Sequence, residues 1–264
     1  MAEKRQEHSG HPDPEVLERG DIFFFYRPKL DVDDPESLDD VQRFYVVLRE
    51  RGGHLFRLLT IGRKHLPEAE AHEREWGFVE LVADKPEPVA GALRERTYET
   101  KTRGTRTAKA ARPAGEGAYV LLRGGGDAGS GQHTLFLVYE LALPKRPGPV
   151  QEELRIAPAA AYAVAVKNPE APSPPGVGLR EGEEAHYPRS LERKFDGRRF
   201  GGEDKHLLDF EGAEFVLIGA GEWPGNEHAS TPGHMSPDAA AVLRRLKLSA
   251  RDAPIRSLVE GEWA

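Results

Sequence analysis

Short apolar runs separated by polar turns dominate the hydrophobic pattern of the chain. The run from Asp21 to Arg27 is rich in aromatic residues and is closed by Pro28, so it is too short for a helix and indicates a buried strand. Residues 43–48 and 55–61 form two more such runs, and the glycine pair between them favours a hairpin. Further strands are expected at 76–82, 118–123 and 215–218.

Alternation with a period of two gives the clearest strand signal. Every second residue from Leu135 to Leu143 is a large apolar or aromatic side chain, and Tyr162 to Val166 follows the same pattern. Helices are expected within residues 86–96 and after Ser236, which can cap a helix near the C-terminus. The sequence therefore predicts an α+β fold of mainly antiparallel β structure, with two β units of the small barrel or sandwich type and a C-terminal helix.

Changes in composition divide the chain into segments. Residues 1–19 are polar and without periodicity, so we expect a disordered tail there. The first β unit is predicted at 20–98, a basic connector at 99–112, the second β unit at 113–220 and a helical extension at 221–264. A proline-rich loop is expected at 168–188, inside the second unit. The two units form either one body or two domains, and the pattern leaves both open.

Composition excludes several classes of site and location. The 264 residues include no cysteine, which rules out disulfides, thiolate metal sites and cysteine nucleophiles. No apolar stretch approaches the ~18–20 residues of a membrane span, and the first residues lack the apolar core of a secretory signal. We therefore expect a soluble cytoplasmic protein that does not bind membranes.

The net charge of −7 comes from one end of the chain. Residues 1–42 contain five Lys or Arg and twelve Asp or Glu, and many of these carboxylates lie in the acidic loop, residues 31–40. The remaining 222 residues contain 32 charges of each sign, so a local basic surface is compatible with the acidic total.

Residues 101–112, the cationic segment, are the strongest indication of a partner. Five of these twelve residues are positive and none is negative, a pattern that suits phosphate groups. The candidate phosphate contacts are Lys101, Arg103, Arg106, Lys109 and Arg112. No aromatic residue lies within the segment, and Tyr98 lies just outside it. The alternative is a solvated linker whose cations pair with the acidic loop.

A second cationic cluster spans residues 193–200 and contains aromatic residues. Arg198 and Arg199 are followed by Phe200, an arrangement that single-strand binders use. The alternative is a helix face, because Leu191 and Phe195 are four residues apart. We add Arg198 and Arg199 to the predicted ligand contacts.

No catalytic, cofactor or metal motif is complete. The glycine-rich stretch 123–131 lacks the lysine of a phosphate loop and precedes a strand, so it is predicted to be a surface loop. His228 and His234 flank a polar stretch but have no convergent set of ligands in the sequence. We therefore expect no metal and no cofactor.

Residues 19–62 contain Arg19-Gly-Asp-Ile, a predicted strand, a polar loop and then Arg43-Phe-Tyr-Val-Val-Leu. This arrangement resembles the opening of the SH3-like barrels of the MazF/PemK toxin family. Phe44 stands where that family usually has proline. The resemblance implies a barrel and, for activity, RNA cleavage in which Arg27 and Arg43 would be the nearest cations. Only the barrel topology enters our expectation for this chain.

The sequence leads to three functional hypotheses. The first is a non-catalytic binding or accessory protein that contacts nucleic acid, or another phosphate-bearing ligand, through the cationic segment. The second is an RNA-directed phosphodiester hydrolase. The third is a structural or protein-interaction domain whose acidic loop meets a basic partner. The oligomeric state is not indicated by the sequence.

Overall fold

The computed structural model describes residues 14–100, 104–124, 133–173, 178–180, 182–221, 246, 248 and 255–264. Eleven strands lie within these residues: β1 Glu15–Pro28, β2 Val41–Glu50, β3 Phe56–Ile61, β4 Arg74–Ala83, β5 Arg96–Thr100, β6 Gly104–Ala108, β7 Arg112–Gly124, β8 Thr134–Leu143, β9 Ala159–Lys167, β10 Phe200–Gly201 and β11 Glu214–Gly219. The described α-helices are α1 Pro86–Leu93, α2 Pro149–Leu154, α3 Arg189–Glu192 and α4 Arg256–Val259. Short 3₁₀ turns occur at Leu38–Asp40, Arg193–Phe195 and Lys205–Leu208.

Eight of the strands close into an antiparallel barrel in the order β1-β2-β3-β4-β11-β9-β8-β7, with β7 returning to β1. The short strand β10 adds to β9 beyond the start of β8, and β5 and β6 form a separate two-stranded hairpin. Strands from both predicted β units contribute to this one barrel. The predicted α+β fold of mainly antiparallel strands is confirmed, as is a barrel, which was the part of the family resemblance carried forward.

The aromatic run in β1 is buried on both faces. Ile22, Phe24 and Tyr26 point into the barrel, whereas Phe23 and Phe25 belong to an outer cluster covered by α1 and α4. A strand with both faces covered needs no alternation, which explains why this run is apolar without interruption. Burial of each large side chain stabilises the barrel by about 1.5–3 kcal/mol.

A network of buried charges fills part of the barrel near the start of β1. The side chain of Arg57 is fully buried and forms two bonds with Glu18, of 2.7 and 3.0 Å, and one of 2.7 Å with Asp209. Glu18 also accepts from Lys205 at 2.8 Å and from the hydroxyl of Tyr119. Burial raises the pKa of Glu18, but the hydrogen bonds and charge of Arg57 together with the hydrogen bonds of Lys205 and Tyr119 outweigh burial and hold that pKa below its ordinary value. Each charge therefore has an opposite charge beside it.

Several element boundaries differ from the sequence predictions. β1 begins at Glu15, before the predicted start of order, and β7 begins at Arg112 and not at residue 118. Of the basic connector, residues 99–100 belong to β5 and residues 104–108 to β6, and residues 101–103 lie outside the described part of the chain. The predicted helix after Ser236 lies outside the described residues, apart from Leu246 and Leu248, which pack against the outer cluster. Among the described helices, none is both long and apolar enough to cross a membrane.

Candidate functional site

The described part of the cationic segment begins at Gly104, forms β6 opposite β5 and ends at Arg112, the first residue of β7. Tyr98 lies directly opposite Arg106 in the strand register, and Arg96 lies opposite Ala108. Since residues two apart on a strand share a face, Arg96, Tyr98 and Arg106 lie on one side of the hairpin. Lys101 and Arg103 lie outside the described residues. The register thus supplies the aromatic ring that the cationic segment itself lacks.

The opposite face of the hairpin carries short polar side chains that bond to each other. The hydroxyl groups of Thr97 and Thr107 are 3.2 Å apart, and the hydroxyl of Thr105 donates to Glu99. The polar side chains of this face therefore form hydrogen bonds with each other across the hairpin. On the first face Tyr98 is 38% exposed, and among the described residues neither Arg96 nor Arg106 forms an ion pair.

Arg27 holds the base of the hairpin. Its guanidinium donates to the carbonyl oxygens of Ala92 at 2.6 Å, Arg94 at 3.3 Å and Lys109, although the side chain comes from β1. Arg27 is almost completely buried, and its Nε donates to the hydroxyl of Tyr45 at 3.3 Å. Two of these carbonyls lie at the C-terminal end of α1, where a positive charge is favoured. The hairpin consequently leaves the barrel from a fixed base.

Lys109 and Arg112 lie against the acidic loop. The Nζ of Lys109 is 2.5 Å from the carboxylate of Asp33 and also donates to the carbonyl of Val32. Arg112 donates to the carbonyl of Asp33 at 2.7 Å. The hydrogen bond and charge of Lys109 hold the pKa of Asp33 below its ordinary value. For these two cations the structure thus agrees with the alternative prediction, in which the cationic segment pairs with the acidic loop.

The second cluster lies on another part of the barrel wall. Arg198 donates to the carbonyls of Phe195 and Lys194 and is 3.3 Å from Glu203, so it closes a local turn around buried Phe195. Arg199 donates to the carbonyl of Pro172 and lies 5.6 Å from the centre of the Phe200 ring. These residues border β9, three strands from β1 around the barrel, and no described contact joins them to the hairpin. The structure therefore separates the two predicted clusters.

Sequence reasoning missed Arg96 and Tyr98 as members of the candidate site. The signal was present, because Thr97 and Tyr98 precede the segment and Thr105 and Thr107 alternate within it, and threonine and tyrosine favour strands. The described residues contain no cluster of three or more His, Asp or Glu side chains suited to a metal ion, and His228 and His234 lie outside them. Comparison of the chain with protein-family models, curated proteins and solved structures gave no match.

Proposed function

We propose that the protein is a non-catalytic binding or accessory protein that holds single-stranded nucleic acid on the face of the β5–β6 hairpin formed by Arg96, Tyr98 and Arg106. The observation that carries the proposal is the exposed Tyr98 ring directly opposite the Arg106 guanidinium. An aromatic ring can stack on a base of any sequence, and a guanidinium can bind a phosphate oxygen with two parallel bonds.

The local charge of the hairpin supports the same ligand. Residues 96–107 contain four cations, Arg96, Lys101, Arg103 and Arg106, and one carboxylate, Glu99. Each phosphate contact with a single strand lowers the salt slope by roughly 0.7, so four contacts give a slope of about −2.8. Affinity should then fall roughly 50-fold between about 50 and 200 mM salt.

The buried base of the hairpin also favours a binding role. Arg27 fixes carbonyls on both sides of the hairpin, and Lys109 and Arg112 are held by Asp33 below it. A platform that is already ordered loses less conformational entropy when a ligand binds. Lys109, whose charge is compensated by Asp33, and Arg112 therefore contribute to the platform by holding its base.

The proposal is tested by fluorescence anisotropy with labelled single-stranded RNA and DNA of about 20 nucleotides, titrated with the whole chain at several salt concentrations. Tyr98→Ala should weaken binding roughly tenfold, and Arg103→Glu/Arg106→Glu should weaken it further and flatten the salt slope by at least about 1.4. The matched control is Lys145→Glu/Arg146→Glu, which makes the same charge change at two exposed positions between β8 and α2. Absence of wild-type binding at low salt, or equal losses in the control, would exclude this function.

The hydrolase hypothesis has no supporting contact among the described residues. Arg27 is occupied with backbone carbonyls, and Arg43 lies 3.8 Å from Glu80. Incubation of the same RNA with and without a chelator decides the point. Degradation by the purified chain would replace the non-catalytic proposal with the hydrolase.

A further inference from the structure

A cavity of about 400 Å³ lies on the outer wall of the barrel at β4, away from the hairpin. Its wall includes Trp76 and Phe78 of β4. Side chains alternate along a strand, and Val79 points into the barrel, so Phe78 and Trp76 both point outward. Both rings are partly exposed, and Trp76 lies 6.0 Å from the ring of Phe200. The volume falls within the ~300–1,000 Å³ of typical small-molecule sites.

The wall opposite the rings is held by a buried ion pair. Lys167 and Glu214 are 2.8 Å apart and almost completely buried, and Glu214 also accepts from the backbone N–H of Leu179 at 2.6 Å and from Ser173 at 3.2 Å. These bonds fasten the proline-rich loop to β11. Gly178 lines the cavity with a φ of +112°, and a Cβ there would lie 2.6 Å from the Ser173 hydroxyl. This part of the cavity wall therefore requires glycine at position 178, because any other side chain would collide with Ser173.

The charges around the cavity favour an anion. Arg63 and Arg74 line it and are exposed, and among the described residues Arg74 has no ion-pair partner. The negative charge of Glu214 is compensated by Lys167. Glu75, the other acidic residue in the lining, lies 3.3 Å from Arg63, and burial raises the pKa of its carboxyl to about 7, so Arg74 is the lining cation that an anion can reach without competing with a carboxylate. Arg199 adds a further cation beside Phe200.

We propose that this cavity is a second binding site, for a small planar molecule that carries a phosphate or carboxylate group. The ring of the ligand packs against Trp76 and Phe78, and its anionic group is bound by Arg74 at the rim. Both mononucleotides and aromatic carboxylates have this chemistry. The site uses none of the hairpin residues, so it stands or fails independently of nucleic-acid binding.

The test is isothermal titration of the whole chain with four mononucleotides, benzoate and indole carboxylate, each to about 5 mM, which detects millimolar affinity. A neutral nucleoside and inorganic phosphate alone separate the contributions of ring and anion. We expect at least one planar anion to bind, about tenfold more tightly than either separate part. Binding of a mononucleotide, or of benzoate or indole carboxylate, shows which of the two classes of molecule the cavity accepts.

Two substitutions place the ligand in the cavity. Trp76→Ala and Arg74→Gln should each weaken binding about tenfold, and Arg74→Gln should leave the binding of the neutral nucleoside unchanged. Arg74→Gln is an exposed change that should not disturb folding, and Arg146→Gln, distant from the cavity in the chain, is its matched control. Failure of every planar anion to bind, or unchanged affinity in Arg74→Gln, would overturn the proposal.

Discussion

Replacement of Arg57 by alanine should cost the protein a large part of its stability. The Arg57 side chain has no exposed surface, and its three bonds of 3.0 Å or less join Glu18 and Asp209 across the barrel. Removing one partner of a buried ion pair typically costs about 3–5 kcal/mol, because the remaining charge stays in a medium of low polarity. Lys205 remains 2.8 Å from Glu18, so we expect a value near 3 kcal/mol.

A chain of this kind has a total unfolding free energy of about 5–15 kcal/mol, so such a loss is easily measured by urea unfolding. The matched control is Arg49→Ala. Arg49 is 35% exposed, and its partner Asp21 keeps a second bond with Arg51 at 2.8 Å. We expect the control to cost no more than about 1 kcal/mol.

The dependence of stability on pH gives a second measurement for the same network. The folded pKa of Glu18 lies below its unfolded value of about 4.5, so its contribution is present above that pH and is lost as the pH falls through the folded value. In Arg57→Ala this acid dependence should shrink or reverse. If Arg57→Ala and Arg49→Ala cost the same, the network is not buried as the structure has it.

Three other predictions concern the barrel and the cavity. Leu137→Asp places a charge in the barrel interior, where Leu137 is 4% exposed, and should yield unfolded or aggregated protein, so a folded variant by circular dichroism would contradict the core assignment. Gly117→Ala should destabilise the chain by about 1–3 kcal/mol in urea unfolding, because the added Cβ would lie 2.1 Å from the carbonyl of Glu140. Gly91→Ala is the control and should be neutral or stabilising, because a Cβ added there meets no atom from another part of the chain within 4 Å. Glu75→Gln should raise the melting temperature at about pH 8 by roughly 2–6 °C and change it little at about pH 5, and an equal change at both pH values would refute this reasoning. The reason is that the folded pKa of Glu75 is about 7, so the wild type loses stability as the pH rises above 4.5. Arg63 and Arg155 reduce this pKa shift, and Glu73 adds to it.

The strands of the barrel could be predicted from sequence where their side chains make the pattern. The hairpin of β2 and β3 and the alternation from Leu135 to Tyr139 match the structure, in which these side chains face the interior. A shift in register between Glu116 and Gly117 moves Leu143 to the outer cluster, although its spacing assigns it to the same face as Leu135. A bulge of this kind leaves no mark in hydrophobic spacing.

The first half of β7 was not predicted from the sequence because it contains glycines. Gly115 and Gly117 weaken any strand pattern, yet a Cβ at Gly115 would lie 2.8 Å from the ring of Phe24, and one at Gly117 would collide with Glu140. The strand is glycine-rich because neighbouring strands approach it closely, and that reason is visible only after the barrel closes.

The candidate sites depend on contacts between distant parts of the chain. The charge excess of the cationic segment was visible, but its division between Asp33 and the open hairpin face required the fold, since Lys109 and Asp33 are 76 residues apart. The cavity likewise joins Trp76 to Gly178 and Glu214, three positions that no local pattern connects.

The position of bound nucleic acid on the chain tests the central claim most directly. Single-stranded RNA containing thiouridine is photo-crosslinked to the whole chain, and the attached peptides are identified by mass spectrometry. We predict crosslinks to the peptide that contains Tyr98, and their loss in Tyr98→Ala and in Arg103→Glu/Arg106→Glu. Crosslinks confined to peptides outside residues 96–112, or an unchanged pattern in both variants, would contradict the claim that the hairpin holds the ligand.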